Sequence, residues 1–201
     1  MDGLRVTEIF YSLQGETRTV GLPTVFVCLT GDLTSGDWME MDDILTRVAS
    51  YQAHYVTVTG SEPLAQKGCL ALLQHLCERG YEVSLETGGT IDVSKVDNRV
   101  VKVIDIKTPS SGEVEKNLFE NLEHLFPHDQ IKFVIHDRED YDWSRKIMQQ
   151  YRLADRCQVL FSPSYEQETP GKLADWIIED HLPVRLQIQL HKYLWRDAPG
   201  R

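Results

Sequence analysis

At 201 residues, 41% hydrophobic and 9% aromatic, the chain has the length and composition of one domain with a sizeable core. Its 31 acidic against 21 basic side chains, a net charge of -10, argue against a nucleic-acid surface and for a small substrate or a protein partner. The start, Met1-Asp2-Gly3-Leu4-Arg5, has no basic region leading into an apolar stretch, and no run of about 18 apolar residues occurs, so a cytoplasmic protein with no membrane span is expected.

The first clear element is the β-branched and aromatic run 24–29, opened by Gly21-Leu22-Pro23 and closed by Thr30-Gly31, which predicts a central strand. Further strand candidates begin near His54, Tyr81, Val100, Gln130, Cys157 and Val184. Helical patterns fill 41–51, 64–79, 117–125, 138–151 and 171–180, with Gly80 as a C-terminal stop. That alternation predicts a mainly parallel sheet, either open and doubly wound or curled into a barrel. No repeat or linker divides the chain, so residues 1–201 are read as a single domain; 108–113 is read as a mobile polar loop. Cys28, Cys69, Cys77 and Cys157 are too scattered for a disulfide framework or a metal knuckle, and Cys69 and Cys77 read as core. The four tryptophans read as core or interface, and Asp137-Arg138-Glu139-Asp140 as a helix start.

In such folds ligands sit beyond the carboxyl ends of the strands. The residues there are polar: Thr59-Gly60-Ser61-Glu62, Glu86-Thr87-Gly88, Asp105 and Lys107, Ser162-Pro163-Ser164-Tyr165, and Gln189 with His191-Lys192. Each group alone is an ordinary cap or turn; their shared rim is the functional signal. Neither GxxxxGKS/T nor GxGxxG occurs, which excludes the common phosphate-loop proteins.

Phe10-Tyr11-Ser12-Leu13-Gln14-Gly15-Glu16, the strand ending in Thr30-Gly31, and Thr59-Gly60-Ser61-Glu62-Pro63 together resemble the 7-carboxy-7-deazaguanine synthases, radical S-adenosylmethionine (SAM) enzymes of queuosine biosynthesis, a tRNA modification pathway. The resemblance runs from Leu4 to about Trp195. It implies a partial (βα) barrel of the radical SAM type and a carbon–nitrogen lyase. That enzyme converts 6-carboxy-5,6,7,8-tetrahydropterin to 7-carboxy-7-deazaguanine with SAM, a 4Fe-4S cluster and Mg2+. It also implies a homodimer and flavodoxin or another reductant.

On the same resemblance, SAM is assigned to Gly60, Ser61, Glu62, Glu86, Thr87, Asp105, Lys107, Ser162, Pro163, Ser164 and Tyr165, and the pterin to Leu13, Gln14, Gly15, Cys28, Thr59, Gln189 and His191. Ser61 stands where the family has glycine, which costs SAM affinity if the position needs positive φ. Cys28 stands where the family has an arginine for the substrate carboxylate, and a thiol cannot replace that guanidinium, so Cys28 is read as core. Members also carry CxxxCxxC directly after the Thr-Gly, for the cluster, followed by a residue that helps place magnesium. This chain passes from Gly31 to Asp32 without them and resumes the family pattern at Gly36-Asp37-Trp38, leading into the next helix. No metal ligand is therefore named within it. Two readings stand: a synthase, active where the loop exists between Gly31 and Asp32, and a cluster-less relative acting as a SAM-binding, scaffold or regulatory protein.

Overall fold

The computed structural model describes residues 3–31, 34–165 and 167–196. Among the described residues nine strands form one sheet. From β2 (Pro23–Leu29) through β4 (Tyr55–Gly60), β5 (Glu82–Thr87), β6 (Val101–Ile106), β7 (Gln130–Ile135) and β8 (Gln158–Pro163) to β9 (Arg185–Leu186), neighbours are parallel and follow chain order. The antiparallel strands β1 (Gly3–Leu13) and β3 (Asp37–Glu40) complete one edge.

Strand alternation sends two sets of side chains to opposite faces. Val25, Val27, Val56, Val58, Val83, Leu85, Ile131, Phe133 and Phe161 enter one core with the helices α1 (Met41–Ser50), α2 (Cys69–Glu78), α3 (Arg138–Gln150) and α4 (Pro170–Glu179). In α1 the buried set Met41, Ile44, Leu45 and Val48 has helical spacing, with Asp42 and Asp43 in the first turn and Arg47 in the last, as the helix dipole favours. Helices on one face and cavities on the other make this an incomplete barrel, not a doubly wound sheet. The β1–β2 connection reaches over the cavity face, where the Arg18 amide donates to Gln130 Oε1 (2.9 Å) and its guanidinium pairs with Glu82.

Several boundaries differ from the sequence reading. β1 was hidden because Arg5, Thr7, Glu8 and Ser12 interrupt its apolar residues. Gly36-Asp37-Trp38 leads first into β3, where Trp38 is 49% exposed on the edge strand, so of the core-or-interface reading the core alternative fails for it. Residues 64–79 are not one helix: a 3-10 turn, Pro63–Ala65, precedes α2. Residues 117–125 contain only a 3-10 segment, Phe119–His124. The polar stretch 108–113 is tied down, because buried Asp140 accepts from the Thr108 hydroxyl (3.1 Å) and the Ser110 amide (2.9 Å). A short C-terminal helix, α5 (Leu190–Trp195), closes the described chain.

Candidate active-site cleft

Two adjoining cavities lie at the carboxyl ends of the parallel strands. The larger, about 330 Å³, is walled by Phe10, Leu13, Gln14, Gly15, Glu16, Phe26, Glu86, Lys132, Gln189 and His191. The smaller, about 150 Å³, is walled by Thr59, Gly60, Ser61, Glu86, Thr87, Gly88, Val103, Asp105, Lys107 and Lys132. Glu86 and Lys132 belong to both walls, so the two form one cleft.

In the larger half, Phe10 and Phe26 stack at 5.0 Å with 12° between their planes, giving a flat apolar wall. Opposite it is a polar group held from three elements. Lys132 Nζ on β7 pairs with Glu16 Oε2 at 2.9 Å, and Gln189 Nε2 donates to Glu16 Oε1 at 2.6 Å. Burial alone would raise the Glu16 carboxyl, but Lys132, Gln189 and His191 outweigh it and hold it below the usual range. Burial would likewise depress the Lys132 ammonium, yet the Glu16 and Asp105 carboxylates keep it raised. Gly15 makes the close approach of α5 possible, since a Cβ there would lie 2.0 Å from His191 Nδ1.

In the smaller half the backbone carries the design. Gly60 has φ +132, and a Cβ on it would lie 1.8 Å from the Leu29 carbonyl oxygen, so only glycine fits. Ser61 is not among the positive-φ residues, so its side chain brings no backbone strain. Its hydroxyl accepts the Gly31 amide at 2.5 Å. Glu62 stands just behind the wall, accepting from the hydroxyls of Thr87 (2.8 Å) and Thr90 (3.2 Å) and from the Leu64 amide (3.4 Å). It is thus both a cap for the following turn and a fixed carboxylate beside Gly88. Lys107 Nζ pairs with Asp105 at 3.1 Å.

The structure therefore brings together Leu13, Gln14, Gly15, Gln189 and His191 in one half, and Thr59, Gly60, Ser61, Thr87, Asp105 and Lys107 in the other, with Glu86 between them. It does not bring in the β8 end. Pro163, Ser164 and Tyr165 line a separate groove of about 510 Å³ with Lys192, Tyr193 and Arg196, joined to the cleft only through Gln189, while Ser162 is buried in the strand. Cys28, beside Thr59 in the ladder, is half-buried and outside both walls. Sequence reasoning gave no role to Glu16, Lys132, Phe10 or Phe26. The available signals were Glu16 directly after Gln14-Gly15 and a lysine interrupting the apolar run of β7.

Fold and cleft define a partial (βα) barrel of the radical SAM type. A crystal structure of QueE from Escherichia coli has the same fold, with a TM-score of 0.76 at 19% identity over 94% of this chain and 95% of that one. The 7-carboxy-7-deazaguanine synthase of Chlorobaculum tepidum is 41% identical, covering 98% of this chain and 97% of the relative. That of Koribacter versatilis is 37% identical, covering 96% and 97%. No protein-family model matches the chain. The chain belongs to the 7-carboxy-7-deazaguanine synthase family.

The alignment with the Chlorobaculum relative spans 213 positions, more than the 201 residues of this chain, so at least a dozen positions of that relative have no counterpart here. The cysteines present do not fit a 4Fe-4S cluster. Cys28 is on β2, Cys69 and Cys77 are in α2, and Cys157 precedes β8. Burial pushes the thiols of Cys28 and Cys157 up to about 11 and that of Cys69 up to about 12, against the thiolate a metal needs. Among the described residues no group of three or more His, Cys, Asp and Glu is placed to hold a metal ion. Nor is any described helix long and apolar enough to cross a membrane.

Proposed function

We propose that this chain binds the two reactants of its family's ring contraction side by side, a carboxylated tetrahydropterin in the larger half of the cleft and SAM in the smaller. The radical reaction itself is assigned only to a form with CxxxCxxC between Gly31 and Asp32. The observation that carries the reading is the shared wall: ligands in the two halves would meet at Glu86 and Lys132.

The side chains suit those tasks. The Phe10–Phe26 stack offers a face to a planar ring, and Gln14 and Gln189 offer amide donors and acceptors to its edge. Lys132, paired with Glu16, is the cation that lines both halves of the cleft. Next to Gly60, hydroxyls, Asp105 and Lys107 match the ammonium, carboxylate and ribose of SAM, whose bound form supplies the adenosyl group to the family's chemistry. The flanking α5 borders the larger half through its contact on Gly15, where the Leu190 amide donates to the Gly15 carbonyl at 2.9 Å.

Anaerobic calorimetric titration with 6-carboxy-5,6,7,8-tetrahydropterin and with SAM tests this, beside iron and sulfide analysis and the intact mass. Binding of both with micromolar constants, about -8 kcal/mol each, by an iron-free chain is expected. Absence of heat with either ligand would sink the binding role. A heavier protein with roughly four irons per chain would make the protein itself a synthase.

A further inference from the structure

The cleft holds three carboxylates against two lysines: Glu16, Glu86 and Asp105 against Lys107 and Lys132. Both lysines are matched elsewhere, Lys132 to Glu16 at 2.9 Å and Lys107 to Asp105 at 3.1 Å. Glu86 is the odd member. Both hydrogen bonds into it come from neutral donors, the Gln14 amide on Oε1 at 3.2 Å and the Thr59 hydroxyl on Oε2 at 3.0 Å. The groups that line the cleft with it are Gln14 and Glu16 from the β1–β2 connection, Thr59 from β4, Asp105 from β6 and Lys107 just after it, Lys132 from β7 and His191 from α5, with Cys28 of β2 near enough to feel its charge. We infer that Glu86 enters the cleft as the neutral acid and donates its hydrogen to a ring nitrogen or carbonyl of the bound heterocycle, while Glu16 serves as the fixed anion.

The inference rests on the proposed heterocycle site and names the proton-carrying group within it. Two carboxylates in one cleft are separated by their surroundings. Glu16 has an ammonium in contact. Glu86 has burial, which with the Glu16 charge lifts its carboxyl against the attraction of Lys132 and the hydrogen bonds from Thr59 and Gln14. An acid at this shared wall can give a hydrogen bond to an acceptor that an ionised carboxylate would repel. No other carboxylate of the cleft is free of a lysine partner to do so.

Two measurements test it. In the ligand-free protein labelled with 13C at glutamate side chains, the Glu86 carboxyl resonance, assigned by its loss in E86Q, is expected to titrate above the ordinary glutamate range near 4.3. A resonance that titrates within or below that range would overturn the inference. For tetrahydropterin, wild-type affinity is expected to fall as pH rises through the Glu86 titration. In E86Q, whose amide mimics the neutral acid, affinity is expected to stay within about threefold of wild type and to lose that pH dependence. A loss of more than about tenfold in E86Q, with pH-independent wild-type binding, would make Glu86 an anionic anchor instead. If tetrahydropterin does not bind at all, the functional reading fails, and the resonance still decides the state of Glu86.

Discussion

The Ser61 hydroxyl accepts the Gly31 amide hydrogen, tying the end of β2 to the turn after β4 at the point where the family's cluster loop would begin. Around it Gln66 Nε2 donates to the carbonyls of Thr30 (3.0 Å) and Arg5 (2.8 Å), and Arg5 Nη1 donates to the Gly36 carbonyl (3.0 Å). The short connection is thus fastened on both sides by groups of this chain. Ser61→Ala is expected to cost about 1 kcal/mol and to speed Gly31 amide exchange about fivefold, read by hydrogen exchange. Unchanged protection would show that the bond does not hold the connection.

Two glycines of the cleft separate folding from binding. At Gly60 an added Cβ meets the backbone of β2 and the φ is +132, so Gly60→Ala is expected to cost at least about 3 kcal/mol in denaturant unfolding. At Gly15 the added Cβ meets the His191 ring, which can move with α5. Gly15→Ala is therefore expected to lower pterin affinity about tenfold or more while the global midpoint moves little. Equal effects of the two on stability would contradict the geometry.

The Glu16–Lys132 pair gives stability an acid-side dependence. Because the folded-state Glu16 carboxyl lies below its unfolded value, its contribution is complete above the unfolded value near 4.3 and is lost as pH falls through the lower, folded one. Glu16→Gln is expected to flatten that part of the curve. With side chains only 10% and 18% exposed, Lys132→Met strands a carboxylate and is expected to cost about 2–3 kcal/mol at neutral pH, shrinking as Glu16 protonates. A pH-independent cost would refute the pairing.

Iron content should follow the loop and nothing else. Anaerobic reconstitution of this chain is expected to leave no 4Fe-4S absorbance, whereas inserting a CxxxCxxC segment between Gly31 and Asp32 is expected to give about four irons per chain. A stable cluster without the insertion would show that the dispersed cysteines can be recruited.

The parallel strands from β2 to β8 were legible because strands buried beneath helices read as apolar runs, and polar groups gather where those runs end; the helices expected between them hold only in part, since no helix joins β5 to β6 and only 3-10 turns join β6 to β7. The glycine at position 60 and the abrupt passage from Gly31 to Asp32 were legible for the same local reason. The 3-10 segments and β3 were not, since short elements carry too few residues for a period to show.

By itself the sequence determined the polar rim and the passage from Gly31 to Asp32 without CxxxCxxC, both of which depend on local order along the chain, while the barrel type was implied only by the family resemblance. Only the tertiary structure decided which rim residues share a cavity. It paired Glu16 with Lys132 across 116 positions, set Ser164 and Tyr165 in another groove, and left Glu86 without a lysine partner. These follow from strand order and from the way the first connection and the last helix fold over the sheet. A carboxylate's protonation state is set by what then surrounds it, which linear spacing does not contain.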